Sequence, residues 1–421
     1  MLNCKVEPKF NANLLFLFNL THKRLNNLIF ELKKPKLLKN ILFLFIAISI
    51  FSCKEDKGIN RKLPPVNVEK SENKTNTYAE GFTITKNGNH SILEIKSPWP
   101  NSTQTFKYVL ISAEEAAKTT FMKEEYDGIL ITPIEKIVVT STTHIPALEL
   151  LNVEETLIGF PGTDYISSEK TRTRIDSSFV RELGKNEGIN TEVLLDINPN
   201  VVVAFGVDGK SKSLETIKKA NIPVIYNGDW VEKSPLAKAE WIKFFGALYN
   251  KEKQADSIFN KIEKDYTQAK KLALNAKNKP TILSGAMHKD VWYLPNGTST
   301  EAQFLKDANT NYLWSDTTEK GSIALNFEVV YEKAKTADLW LSPSYYTSLE
   351  ALEEASQHYT KFDAFKNKQV YSFTNTTGKN GGVLYYELGT ARPDLVLKDI
   401  IKICHPELLE NYEPFFFKKL D

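Results

Sequence analysis

KEKQADSIFNKIEKDYTQAKKLALNAKN, residues 251–278 of a 421-residue chain, carries Ala255, Ile258, Phe259, Ile262, Tyr266, Ala269, Ala273 and Ala276 at spacings of three and four. No proline or glycine interrupts it. Such spacing lines one stripe of a helix with apolar side chains, and at about 1.5 Å per residue the helix would run about 42 Å. That is long enough to touch two compact bodies. A single stiff helix between two bodies resists hinge bending, so only limited opening and closing is expected.

On both sides of this stretch, short continuous apolar runs alternate with helical periods, as in parallel strands joined by crossover helices. Ahead of it, strands are expected near 136–140, 157–160, 201–205 and 224–226, with helices near 145–151, 191–196 and 213–220. Behind it, strands are expected near 281–284, 291–294, 339–342 and 369–373, with helices near 302–307, 327–334, 349–356 and 393–403. The fold class is therefore α/β, with one lobe over 135–250, the linking helix over 251–278 and a second lobe over 279–421. An internal echo supports two related lobes. Asn190-Thr191-Glu192 precedes the strand at 201–205 and Asn326-Phe327-Glu328 precedes the strand at 339–342, each with a glutamate in a helical first turn, where the dipole favours a carboxylate.

Further out, residues 78–134 form a small β-rich unit. Phe82-Thr83-Ile84, the turn Asn87-Gly88-Asn89, Ser91 to Ile95 and Phe106 to Leu110 suggest three antiparallel strands ending by Ile111. Residues 54–77 are polar, contain Pro64-Pro65, lack an apolar period and read as a flexible tether. In residues 1–53, Lys33, Lys34, Lys36 and Lys39 lead into the apolar block from Ile41 to Phe51. That block is too short to span a bilayer, which takes about 20 apolar residues, but suits the core of an export signal. The ending Ile50-Phe51-Ser52-Cys53 resembles the lipobox of bacterial lipoproteins, which implies diacylation of Cys53 and lasting attachment to a membrane. The acidic Glu55-Asp56 behind it resembles the surface-export signals of some lipoproteins.

Lys and Arg total 54 against 52 Asp and Glu. Without a basic block beyond the leader, nucleic-acid binding is excluded as a main role. Of three cysteines, Cys4 lies in the leader, Cys53 is the lipidation candidate and Cys404 is left without a partner, so neither a disulfide framework nor a cysteine metal site is expected. Phosphate loops, zinc-protease helices and nucleophile elbows are absent. Neither a catalytic constellation nor a cofactor is expected.

Val138 to His144, Asp196 to Val203, Ile222 to Tyr226, Ala239 to Leu248 and Arg392 to Asp399 together resemble the solute-binding proteins of ABC importers for iron complexes and vitamin B12, in their Bacteroidetes lipoprotein branch. The resemblance runs from about Glu135 to the C-terminus. It implies a class III periplasmic binding protein with two Rossmann-like lobes, working as a monomer that hands an iron-siderophore, haem or cobalamin ligand to a permease dimer. It also implies that Glu192 and Glu328 dock on permease arginines, for which charge-assisted bonds are suited. The family's Gly-Gly-Asn-Asp after the glycine loop is replaced by Gly381-Gly382-Val383-Leu384.

Ligands of open α/β sheets sit at the carboxyl ends of the strands. Those loops supply Thr143, His144 and Tyr165 from the first lobe. Trp230, Trp292, Trp314 and Tyr345 offer rings for a large flat guest, and Arg172 and Arg392 offer guanidinium forks for its anionic groups. Two rival readings are a lipoprotein hydrolase or chelatase on a similar scaffold and a surface-exposed adhesion lipoprotein.

Overall fold

The computed structural model describes residues 76–421 apart from Lys320. The leader, Cys53 and the tether up to residue 75 lie outside the described residues.

The chain first builds β1 (Phe82–Asn87), β2 (His90–Lys96) and β3 (Thr105–Ile111), antiparallel in sequence order. Gly88, at φ +64°, supplies the left-handed residue that a two-residue hairpin link needs. A fourth strand, β4 (Gly128–Ile131), pairs in parallel with β3. It is too short to stand out in the sequence behind a turn-rich segment. The unit has no core of its own: Phe82, Leu93, Ile95 and Tyr108 belong to the same buried cluster as the first lobe. Phe82 meets Trp241 at 4.7 Å between ring centroids, and the Tyr108 hydroxyl donates to the Val224 carbonyl at 3.1 Å.

In the first lobe, β5 (Ile137–Val139), β6 (Leu157–Phe160), β7 (Arg181–Glu182), β10 (Val201–Phe205) and β11 (Val224–Asn227) form a parallel sheet in the order β11-β10-β5-β6-β7, while β8 (Gly184–Lys185) and β9 (Gly188–Ile189) make a short hairpin. In the second lobe, β12 (Thr281–Ser284), β15 (Asn311–Tyr312), β17 (Leu339–Leu341), β18 (Val370–Ser372) and β19 (Lys418–Lys419) are ordered β15-β12-β17-β18-β19. Only β19 runs antiparallel within that sheet. The expected strand near 291–294 exists but belongs elsewhere. As β14 (Val291–Pro295) it is antiparallel to β13 (Ala286–His288) and β16 (Ser322–Leu325) in a separate sheet. Its alternating burial, with Trp292 and Leu294 inside, marks a strand with one face covered rather than two.

The linking helix runs over Glu252–Ala273, 22 residues, about 33 Å. It stops five residues short of the expected end. Leu274 is 68 % exposed, so nothing rewards another turn, and the Asn309 side chain caps the Ala273 carbonyl at 3.0 Å. The helix is divided between two cores. Ala255, Phe259 and Ile262 are buried in the cluster of the first lobe, and Tyr266, Ala269 and Ala273 in that of the second. The Tyr266 hydroxyl donates to the buried Asp307 at 2.7 Å, fixing the helix to the second lobe. Among the described residues no helix is long and apolar enough to cross a membrane.

Candidate functional site

Two buried carboxylates fix the chain where it enters the fold. Glu240 accepts hydrogen bonds from the backbone N–H groups of Thr77, Tyr78 and Ala79 at 2.7 to 2.8 Å. Glu232 accepts from Gly81 N–H at 2.9 Å and from the Trp241 indole at 3.0 Å. These bonds hold the strand unit beside the mouth of the interlobe cleft.

That cleft contains a cavity of about 960 Å³, walled by three parts of the chain. The first lobe supplies Trp230 and Lys238, the second Tyr293, Asn296 and Glu301, and the strand unit the loop 97–102. A second cavity of about 270 Å³ shares Lys238, Thr300 and Glu301 with it and reaches Thr143, Tyr385 and Tyr386. A third, about 20 Å³, runs inward from Thr143 and Lys238 to Asp229, with room for about one water. Asp229 is 3 % exposed and takes a hydrogen bond from the Thr143 side chain, while its Oδ1 has no partner among the described residues. Burial raises its pKa, against the opposing pull of that hydrogen bond and of the Lys238 ammonium.

At its other end the cleft is shut. The glycine loop of the second lobe lies directly on the loop after β6. A Cβ at Gly378 would come within 2.6 Å of Ser167 Cα, and one at Gly382 within 2.3 Å of the Tyr165 carbonyl oxygen. Glu387 accepts from Ser167 N–H at 2.6 Å and Ser168 N–H at 2.8 Å, and the Ser167 hydroxyl donates to the Gly382 carbonyl at 2.8 Å. Asn380 with Asp164 and Lys379 with Asp176 add exposed contacts at 2.9 and 3.3 Å.

The residues expected from sequence fall into three groups. Thr143 and Trp230 line the cavities, Trp230 packing on Phe205 at 5.2 Å. Tyr165 and Tyr345 are exposed, Tyr165 at the shut end and Tyr345 opposite Tyr386 at 6.5 Å. The rest lie inside the protein or act on its own chain. His144 is fully buried against Phe245, and burial pushes its pKa down to about 3. Trp292 is a core ring whose indole donates to the Ser284 carbonyl, and Trp314 is buried under Lys333. Arg172 donates to the Thr163 carbonyl at 2.6 Å, holding the loop after β6. Arg392 is held by both oxygens of the buried Asp394 at 2.9 and 2.8 Å.

Glu192 and Glu328 are exposed in the first turns of the helices Thr191–Ile197 and Phe327–Ala334. Each helix is capped by an asparagine, Asn190 or Asn326, accepting from the N–H three residues on. A short link joins each helix to the parallel strand that follows, β10 or β17. The equivalence of the two positions is therefore structural.

Sequence reasoning passed over Trp99, Lys238, Glu301 and Glu387. Trp99 had a visible signal, an aromatic ring between Pro98 and Pro100 just before a strand. For Lys238 and Glu301 no local signal separates them from the many other charges of the chain.

Residues 137–377 match the family model described as periplasmic binding protein. The chain belongs to that family. It is a periplasmic binding protein rather than an enzyme. Its fold is shared with a Staphylococcus epidermidis protein described as a possible iron-binding, periplasmic solute-binding protein, at 16 % identity and TM-score 0.51 over 65 % of this chain and 100 % of that one. A periplasmic haem-binding protein of Pseudomonas aeruginosa is similar at 12 % identity and TM-score 0.51 over 68 % of this chain and 98 % of that one. In sequence, the periplasmic binding protein is 27 % identical to an uncharacterized lipoprotein of Methanocaldococcus jannaschii, across 92 % of this chain and 96 % of that relative. The strand unit precedes the matched family region.

Proposed function

We propose that the protein is the lipid-anchored substrate-binding component of an ABC importer, capturing an iron complex, whether siderophore or haem, or a cobalamin, and delivering it to an inner-membrane permease. One observation carries this reading: a cavity of about 960 Å³ opens between two lobes whose separate cores share one helix. A rod buried in both cores holds the lobes at fixed spacing, so the site is largely preformed and loses little free energy to reorganisation on binding. Trp230 and Tyr293 in its walls offer ring area to a bulky guest. The lipoprotein name of the archaeal relative and the lipobox at Cys53 support an anchor. Glu192 and Glu328, one on each lobe, supply separated carboxylates for orienting the docked permease.

The test is a thermal-shift screen of the full chain in detergent against cyanocobalamin, haemin, ferric citrate and hydroxamate and catecholate siderophores. A ligand at a hundred times its Kd adds about 2.7 kcal/mol to the native state. At least one compound is expected to raise the midpoint saturably. No shift with any of them would remove the reading.

A further inference from the structure

We propose that the N-terminal strand unit is a working wall of the ligand site, and that the completed site selects a bulky metal complex without a large net negative charge. The inference rests on the solute-binding reading above and adds the part of the chain that the family region does not include.

Trp99 anchors the wall. Its ring is 7 % exposed and sits between Tyr226 and Phe106, at 5.1 and 5.9 Å between centroids. The loop after β10 is shaped to receive it. Gly209 has φ +71°, and a Cβ there would lie 2.4 Å from the Trp99 ring; at Gly206 the corresponding approach is 3.0 Å. The start of the β10 loop at Gly206 is thus buried while residues 207–210 stay exposed, none of them lines the main cavity, and the surface offered there is the 97–102 loop. Glu232 holds the incoming strand at Gly81 and Glu240 holds it at residues 77–79, and the Lys96 N–H donates to the Gly81 carbonyl at 2.7 Å, so the strand that leads into the wall loop is tied to this fixed entry.

The ligand class follows from the charges. The described residues lining the main cavity include three lysines, four glutamates and no arginine. Lys96 is paired with Glu94 at 3.2 Å and Lys233 with Glu80 at 3.7 Å, and Glu232 is committed to Gly81 and Trp241. Lys238 reaches all three cavities, makes no ion pair among the described residues and acts on the buried Asp229 only through its field, and Glu301, across the cleft, lines the two larger ones. Among the described residues a polyanion would meet one ammonium outside an ion pair, that of Lys238, with the carboxylates of Glu301 and Glu319 in the same lining. The guanidinium groups that could offset its charge are turned to the protein: Arg172 and Arg174 to backbone carbonyls, Arg392 to Asp394. Hydroxyl and amide groups at Ser97, Asn101, Thr298 and Thr300 suit a guest rich in neutral hydrogen-bonding groups.

The experiment uses the full chain in detergent and calorimetric titration with two uncharged complexes, ferrichrome and cyanocobalamin, and two polyanionic ones, ferric enterobactin and ferric citrate. Wild-type protein is expected to bind at least one uncharged complex tenfold or more tighter than either polyanion. Pro100→Trp, which puts a ring into the cavity from an exposed position, is expected to weaken that binding at least tenfold with an unchanged thermal midpoint. Hydrogen exchange in the wild type should show backbone protection of 97–102 on ligand addition. Equal binding by the variant together with no protection overturns the wall while leaving solute binding intact. Tighter binding of a polyanion overturns the ligand class. Failure of the wild type to bind any of the four or haemin overturns the importer reading beneath both.

Discussion

Glu387→Gln isolates what the carboxylate at the shut end of the cleft contributes. The side chain is 2 % exposed, reaches the other lobe through two backbone N–H groups, and lies near Glu149, which itself accepts from Ser168 Oγ and Thr171 Oγ1. Burial pushes the Glu387 pKa up, the two N–H groups pull it down, and the Glu149 charge adds to the rise, leaving it lifted from 4.5 to about 7. A raised carboxyl pKa means that the folded protein keeps a proton the unfolded chain has lost. The contribution is therefore complete below about pH 4.5 and is lost as pH rises through about 7. At about 1.4 kcal/mol per tenfold change in proton affinity, the difference between the two values corresponds to about 3 kcal/mol. Glutamine cannot ionise, though its amide nitrogen cannot accept, so one of the two N–H bonds is lost at every pH. In guanidinium chloride unfolding the stability of the variant relative to wild type should therefore rise by about 2 to 3 kcal/mol between pH 5 and pH 8, on top of that constant loss. A relative stability that stays level or falls over this range would refute the reasoning, since the ionised carboxylate's two hydrogen bonds would then outweigh its desolvation.

The tryptophans should separate by location. Trp292→Ala, which opens a hole among Trp340, Tyr359 and Phe362, should lower stability by about 3 to 5 kcal/mol. Trp230→Ala, at the cavity wall, should cost only about 1 kcal/mol in chemical denaturation and lower ligand affinity in calorimetry; the opposite ranking would put Trp230 in the core. Glu192→Lys combined with Glu328→Lys should abolish uptake of labelled ligand by cells while ligand affinity stays within twofold, and persistent uptake would dismiss the docking role. Cys53→Ser should eliminate palmitate labelling and release the protein from membranes; retained label would place the acyl chain elsewhere.

What the sequence could convey depended on whether the deciding contact was near or far along the chain. Strands 157–160 and 201–205 were readable to the residue, because a strand buried on both faces writes itself as a continuous run of apolar and small residues, and 281–284 was readable from its Ile282-Leu283 centre. The linking helix was readable in kind but not in length. Ala276 continues the three-and-four spacing, yet the cap that ends the helix comes from Asn309, 36 positions beyond Ala273. Side-chain direction at strand ends was harder still. Trp292 and Tyr293 are neighbours, and the pleat sends one into the core and the other to the cavity, so a one-residue difference reverses the role. The arginines failed as ligand candidates for a related reason: Arg392 finds Asp394 two residues away, and a bidentate partner inside the protein leaves little of the guanidinium for a guest.

The cleft also shows where the strand-end rule needs a further condition. The rule places the guest over the carboxyl ends of both sheets, and the loops after β5 and β11 do reach the cavities through Thr143 and Trp230. The loops after β6 and β10 do not present themselves in the same way. One lies beneath the glycine loop held by Glu387, and the other turns its backbone at Gly206 and Gly209 to Trp99, away from the main cavity. Both contacts depend on glycines that let another backbone or a ring approach closer than a Cβ would allow, Gly378 and Gly382 at one end and Gly209 at the other. An α/β lobe thus offers a set of strand-end loops, and close-packed glycines decide which of them remain open to a ligand.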